Sequence, residues 1–142
     1  MYVEKTFPPT AEAPRAVRAW IRGLLRDERH APLEHAACLV VTELVTNAVL
    51  HARTPMCVAI ELRGDGLRLS VADQNPHQPA LRTYDNDATT GRGLHLIDVL
   101  ADRWGLEERP GGKAVWCELV APTGEAQDGW WTGPFESSER YG

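Results

Sequence analysis

The stretch "VVTELVTNAVLHA", from Val40 to Ala52, sets Glu43, Asn47 and His51 four residues apart among apolar neighbours. On a helix turning about 100° per residue, successive members drift by only about 40°, so the three polar groups form one nearly straight stripe. The stripe runs along the edge of the face made by Val41, Leu44, Val45 and Ala48, not opposite it. It is either an ordinary solvated border or a line of groups facing a ligand. A metal site built from the stripe alone is the weaker idea. Zinc asks for more His or Cys than one imidazole, and magnesium seldom accepts an imidazole.

Two further places could carry chemistry. In "GLRLSVAD", Leu67, Leu69, Val71 and Asp73 share one face by parity. If the three apolar residues face a core, Asp73 faces it too, and an unpaired buried carboxylate is costly. Asp73 is then either a turn-forming residue that opens "DQNP" or an acceptor for a ligand donor such as an amino group. In "TTGRGLHLIDVL", Gly91 and Gly93 precede a helical pattern. Glycines let a backbone approach a ligand closely, and the free N–H groups of a helix start favour phosphate. By itself Gly-x-Gly is also just a flexible loop end.

These groups need elements to position them. "YVEKTF" alternates and suggests an opening edge strand before Pro8-Pro9. "APRAVRAWIRGLLRDER" places Ala16, Val17, Trp20 and Leu24 near helical spacing, with Pro14 fitting a first turn. Pro32 separates it from a second helix, "LEHAACLVVTELVTNAVLHA". Beyond Pro55 the period becomes two, and "MCVAIELRGDGLRLSVAD" reads as a hairpin around Gly64-Asp65-Gly66. A polar loop from Gln74 to about Arg92 follows, then a helix in "GLHLIDVLADRW" and a second hairpin turning at Pro110-Gly111-Gly112. After Pro122 the chain is Gly-, Glu- and Ser-rich without period, which predicts a mobile tail over 122–142 carrying Trp130 and Trp131. The plan is an α+β two-layer sandwich: a mixed or antiparallel sheet covered on one face by about three helices, in one domain spanning 1–121.

Composition narrows the class. A hydrophobic fraction of 43% and a charged fraction of 25% place the chain with globular domains, not disordered ones. The net charge of −5, with no basic stripe, argues against direct nucleic-acid binding. No run looks apolar enough to span a bilayer and "MYVEKTFPPT" has no signal-peptide pattern, so the expected location is the cytoplasm, with no membrane partner. Cys38, Cys57 and Cys117 lack ligand spacing and read as buried free thiols.

In order, "ELVTNAVLHA", "VAD", "GRGLHLI" and "GGKAVWCEL" resemble the GHKL (histidine-kinase-like) ATPase superfamily, whose ATP-binding Bergerat fold is shared by histidine kinases and gyrase. Among its branches the chain looks most like small bacterial anti-sigma-factor serine/threonine kinases and their stand-alone relatives. The resemblance covers roughly Thr10 to Val120 and rests on E-x-x-x-N-A-x-x-H with G-x-G-L about forty-five residues later. It implies ATP and Mg²⁺ as cofactors. Asn47 matches the Mg²⁺-holding asparagine, and Glu43 the catalytic glutamate that orients or deprotonates the attacking hydroxyl. Asp73 matches the acceptor of the adenine amino group. Gly91, Arg92, Gly93 and Leu94 match the second glycine box facing the phosphates, and the loop of about 76–92 matches the ATP lid. His51 gets a supporting role. The implied partners are a sigma factor and a STAS-domain antagonist, with a homodimer as a further possibility.

The chain departs from that pattern twice. The family's first glycine box is commonly D-x-G-x-G, whereas Asp73 opens "DQNPH". A threonine that supports the adenine-binding aspartate would fall at or near Ala114, and losing one such hydrogen bond costs about 1 kcal/mol of affinity. Two functions of different classes follow. One is an anti-sigma-type serine/threonine protein kinase. The other is a degenerate, non-catalytic regulatory module that works through protein contacts with weak or no ATP binding.

Overall fold

The computed structural model describes residues 1–75 and 96–121. The expected lid over 76–92, the glycine box Gly91–Leu94 and the tail with Trp130 and Trp131 lie outside the described residues. Among the described residues five strands form one sheet in the order β1-β2-β3-β5-β4: β1 (Tyr2–Phe7), β2 (Met56–Arg63), β3 (Gly66–Asp73), β4 (Arg103–Arg109) and β5 (Gly112–Val120). Each of the four pairings is antiparallel, which decides between the mixed and antiparallel alternatives. Both expected hairpins form. Their turns are Gly64-Asp65 and Pro110-Gly111, with Gly66 and Gly112 already the first residues of strands. Gly64 (φ 52°) and Gly111 (φ 79°) supply the left-handed backbone that such tight turns need.

Helices α1 (Ala13–Leu24) and α2 (Glu34–Asn47), with the helical turn 96–100 (α3), pack on one face of the sheet. The core joins Val17 and Ile21 of α1, Val41, Leu44 and Val45 of α2, and Ile97 to Val58, Ile60, Leu67, Leu69, Val115, Cys117 and Leu119 of the strands. On α1 the inner face is Ala13, Val17 and Ile21, while Ala16, expected inside, is exposed. Phe7 meets Trp20 edge-on at 5.7 Å between ring centroids, tying the end of β1 to α1. Arg18 Nη1 donates to Thr42 Oγ1 at 3.0 Å and Arg22 pairs with Glu34 at 3.0 Å, so the arginine border of α1 clasps α2.

The second helix buries Ala37, Cys38, Val40, Val41, Leu44, Val45 and Asn47, which together cover about half of its circumference, and its other side is half-exposed. A three-residue 3-10 turn (Ala31–Leu33) precedes it and a π-turn (Ala48–Ala52) extends it. The resulting run Ala31–Ala52 is long and apolar enough by composition to cross a membrane, contrary to the sequence-based expectation. Half of that run is buried, with Val40, Val41, Leu44 and Val45 in the core.

The other face of the sheet carries its own buried cluster. Glu118 is 2% exposed between Arg68 (3.1 Å) and Arg103 (3.4 Å), and the Arg68 guanidinium lies 4.2 Å from the centre of the Trp116 ring. Burial pushes the Glu118 carboxyl above its usual range, and the two arginines pull it partly back. The cysteines are all free. Cys38 and Cys117 are buried as expected, whereas Cys57, on β2 next to edge strand β1, is half-buried.

Candidate functional site

Asp73 ends β3, the third strand of the sheet, between Met56 of β2 and Lys113 of β5. Parity places it on the helix-covered face, as Leu67, Leu69 and Val71 are all in the core. Its side chain is 8% exposed, and both oxygens have partners. Oδ2 accepts from Lys113 Nζ at 2.5 Å, and Oδ1 accepts from the Asn75 backbone N–H at 3.0 Å. Asp73 therefore shapes the turn after β3, and its buried carboxylate accepts from two groups of the same chain.

The register reassigns the position expected to support it. Ala114 lies opposite Ala72, and Lys113 lies opposite Asp73. Lys113 is 3% exposed, a lysine at the core-facing parity of β5 with Val115, Cys117 and Leu119. Sequence reasoning missed it, although that parity was a usable signal, since a lysine on a core-facing strand position must find a partner. Gly112 explains how β5 comes so close. A Cβ there would lie 2.0 Å from the Asp73 carbonyl oxygen and 3.0 Å from its carbon, so only glycine fits this backbone approach.

The end of the second helix reaches the same corner. Asn47 closes the α-helical part, and the π-turn Ala48–Ala52 leads through Arg53 to Pro55 into Met56, the β2 neighbour of Asp73. At about 1.5 Å per residue, Asn47 lies roughly 7 Å up the helix from that exit. Arg53 has φ 58°, and its N–H donates to the Ala48 carbonyl at 3.0 Å, ending the helix in a left-handed cap normally given to glycine. Thr54 Oγ1 accepts from the Gln74 N–H at 2.9 Å, tying that exit to the end of β3. Single π-turns inside helices concentrate at functional sites. This one also corrects the stripe: Glu43 and Asn47 share regular α-helix, whereas His51, half-buried, rides on the π-turn and leaves the straight line.

Asn47 is 3% exposed, and its side-chain Nδ2 has no hydrogen-bond partner among the described residues. A buried amide without a partner is expensive, so such a group in a folded protein asks for an explanation. Glu43, one turn earlier, is half-buried and lines a groove between α1 and α2 with Arg18, Arg22, His35, Cys38, Leu39 and Thr42. Asn47 is not among the residues lining that groove. Asn47 thus lies one π-turn above the helix exit that Thr54 ties to the end of β3, and Glu43 lines the α1–α2 groove.

These residues fit a magnesium–nucleotide in kind. Among the described residues no group of three His, Cys, Asp or Glu side chains gathers into an all-protein metal cage. Magnesium is commonly held by one or two protein oxygens with substrate phosphates. A half-turn of the Asn47 amide offers Oδ1 where Nδ2 stands, so the unpartnered position can present either a metal ligand or a donor to phosphate.

The antiparallel sheet under a helix layer agrees with the α+β sandwich of a histidine kinase-like ATPase domain. The family model described as "Histidine kinase-like ATPase domain" matches residues 7–119, and the chain belongs to that family. It is 38% identical over 90 residues to an uncharacterized protein of Streptomyces coelicolor, a match covering 60% of this chain and 83% of that one. Its fold is similar to the crystal structure of the RsbU and RsbW domains of Rv1364c from Mycobacterium tuberculosis. There the TM-score is 0.64 at 23% identity, over 84% of this chain and 32% of the other, so this chain spans about a third of that protein.

Proposed function

We propose that this protein is an ATP- and Mg²⁺-dependent serine/threonine protein kinase of the anti-sigma type, acting in the cytoplasm on a sigma factor and a STAS-domain antagonist. The observation that carries the nucleotide site is the buried Asn47 amide, whose Nδ2 has no partner among the described residues, on the helix whose exit leads to the β2 neighbour of Asp73. In this reading Asp73 receives the adenine amino group and Asn47 holds the metal through its amide oxygen. Gly91, Arg92, Gly93 and Leu94 face the phosphates. Mg²⁺, when bound, supplies charge neutralisation across the phosphate oxygens, which is most of what phosphoryl transfer requires. A Glu43 carboxylate oxygen would take the proton of a partner's Ser or Thr hydroxyl as that oxygen bonds the γ-phosphorus and ADP leaves, and its place in the α1–α2 groove leaves it open to a protein substrate. The likeness to a structure containing an RsbW domain supports this choice of branch.

A second reading has its own observation. Both Asp73 oxygens are engaged in the folded chain, by Lys113 and by the Asn75 N–H, which favours a regulatory module with weak nucleotide binding and no transfer. Calorimetric titration of Mg-ATP and Mg-ADP into the wild type, Asn47→Ala and Asp73→Asn tests the nucleotide site. Saturable binding that both substitutions weaken supports it, and no binding at millimolar ATP removes it. Phosphate transfer to a STAS-domain antagonist then separates the two readings: the kinase loses transfer in Glu43→Ala, and the module never shows any.

A further inference from the structure

The ammonium of Lys113 has three N–H donors, and Asp73 is its one acceptor among the described residues. At 3% exposure the remaining donors have little water to turn to, and a buried cation without a full set of acceptors is costly. Asp73 has the converse surplus. A carboxylate offers about four lone-pair directions, and two are taken. The corner between β2, β3 and β5 therefore presents an acceptor and a donor side by side. Their partner across the strand pair is fixed by backbone register and by the close approach at Gly112.

A lone carboxylate recognises only a donor. A carboxylate beside an ammonium complements an edge on which a donor and an acceptor are adjacent, and the N6 amino group beside ring N1 of adenine is such an edge. We propose that Lys113 is a second base-reading residue of the nucleotide site, its ammonium donating to adenine N1 while Asp73 accepts from the N6 amino group. The inference rests on the nucleotide reading above. The ion pair is then a preorganised half of the site: each partner holds the other in place before the base arrives, and the charges stay paired once it is bound.

The test uses ATP and 1-deaza-ATP, in which a C–H replaces the N1 acceptor and the amino group remains. Calorimetric titration of the wild-type chain should find ATP tighter by about tenfold or more, the usual worth of a hydrogen bond to a charged group. In Lys113→Met, which removes the donor and keeps the stem, the ratio should fall to near one. Equal affinities in the wild type overturn the inference, as does a Lys113→Met variant that keeps the wild-type ratio. The wild-type ratio decides alone if the variant does not fold, because Asp73 would be left without its cation. If neither compound binds the wild type, the nucleotide reading falls and this inference with it. If ATP binds and the ratio is one, only the inference falls.

Discussion

Replacing Asn47 by leucine should make the protein more stable and less able to bind nucleotide. The side chain is 3% exposed, and its Nδ2 meets no acceptor among the described residues. A buried donor in that position costs about 1–3 kcal/mol, which leucine removes while keeping the same branching at Cγ. Leucine also gains a few tenths of a kcal/mol in helix propensity at the end of α2. Against this stands the larger methyl group in a core already packed by Leu44, Val45 and Ala48, a penalty of about 1 kcal/mol. The net expectation is a gain of about 0.3–2 kcal/mol, or roughly 1–6 °C in Tm for a domain of this size. Urea unfolding and thermal melts followed by circular dichroism read the stability, and Mg-ATP calorimetry on the same preparations reads the binding. The two should move in opposite directions, because a group kept for a ligand strains the free protein. A loss of 1 kcal/mol or more in Asn47→Leu would refute the reasoning by showing that the amide is already satisfied. Unchanged Mg-ATP binding would refute the functional half.

Three further outcomes come from the same geometry. Gly112→Ala places a methyl 2.0 Å from the Asp73 carbonyl oxygen and should lower stability by about 3 kcal/mol or more in urea unfolding, since backbone must move. Arg53→Gly relieves the left-handed residue at φ 58° and should raise stability by about 0.5–1 kcal/mol in the same assay. Burial raises the Cys117 thiol from 9.0 to about 12. Between those values the unfolded chain releases a proton that the folded chain retains, so stability is highest below pH 9 and falls as pH rises, by about 1.4 kcal/mol per unit. Unfolding measured from pH 7 to pH 11 should show that alkaline loss, and Cys117→Val should flatten much of it. An equal slope in the variant would assign the loss to other groups.

The local sequence carried the order of the elements, because period two and period 3.6 are written in adjacent residues: the Gly64 and Pro110 hairpins and both long helices follow from it. It also marked Glu43, Asn47 and Asp73, since polar groups on apolar faces stand out by spacing and parity alone. What it could not give was pairing between distant segments. That Lys113 rather than Ala114 stands opposite Asp73 depends on strand register across 40 residues of chain, and a slip of one residue would reverse it. The same holds for the second helix, whose apolar run reads as an amphipathic face or a membrane span until α1 and the sheet cover one side of it. The π-turn that moves His51 off the stripe is likewise tertiary, set where the helix must exit to bring Met56 beside Asp73. Residue types state which chemistry is affordable; the packing of segments far apart in the chain decides which groups meet, because contact free energy depends on neighbours that local propensity does not contain.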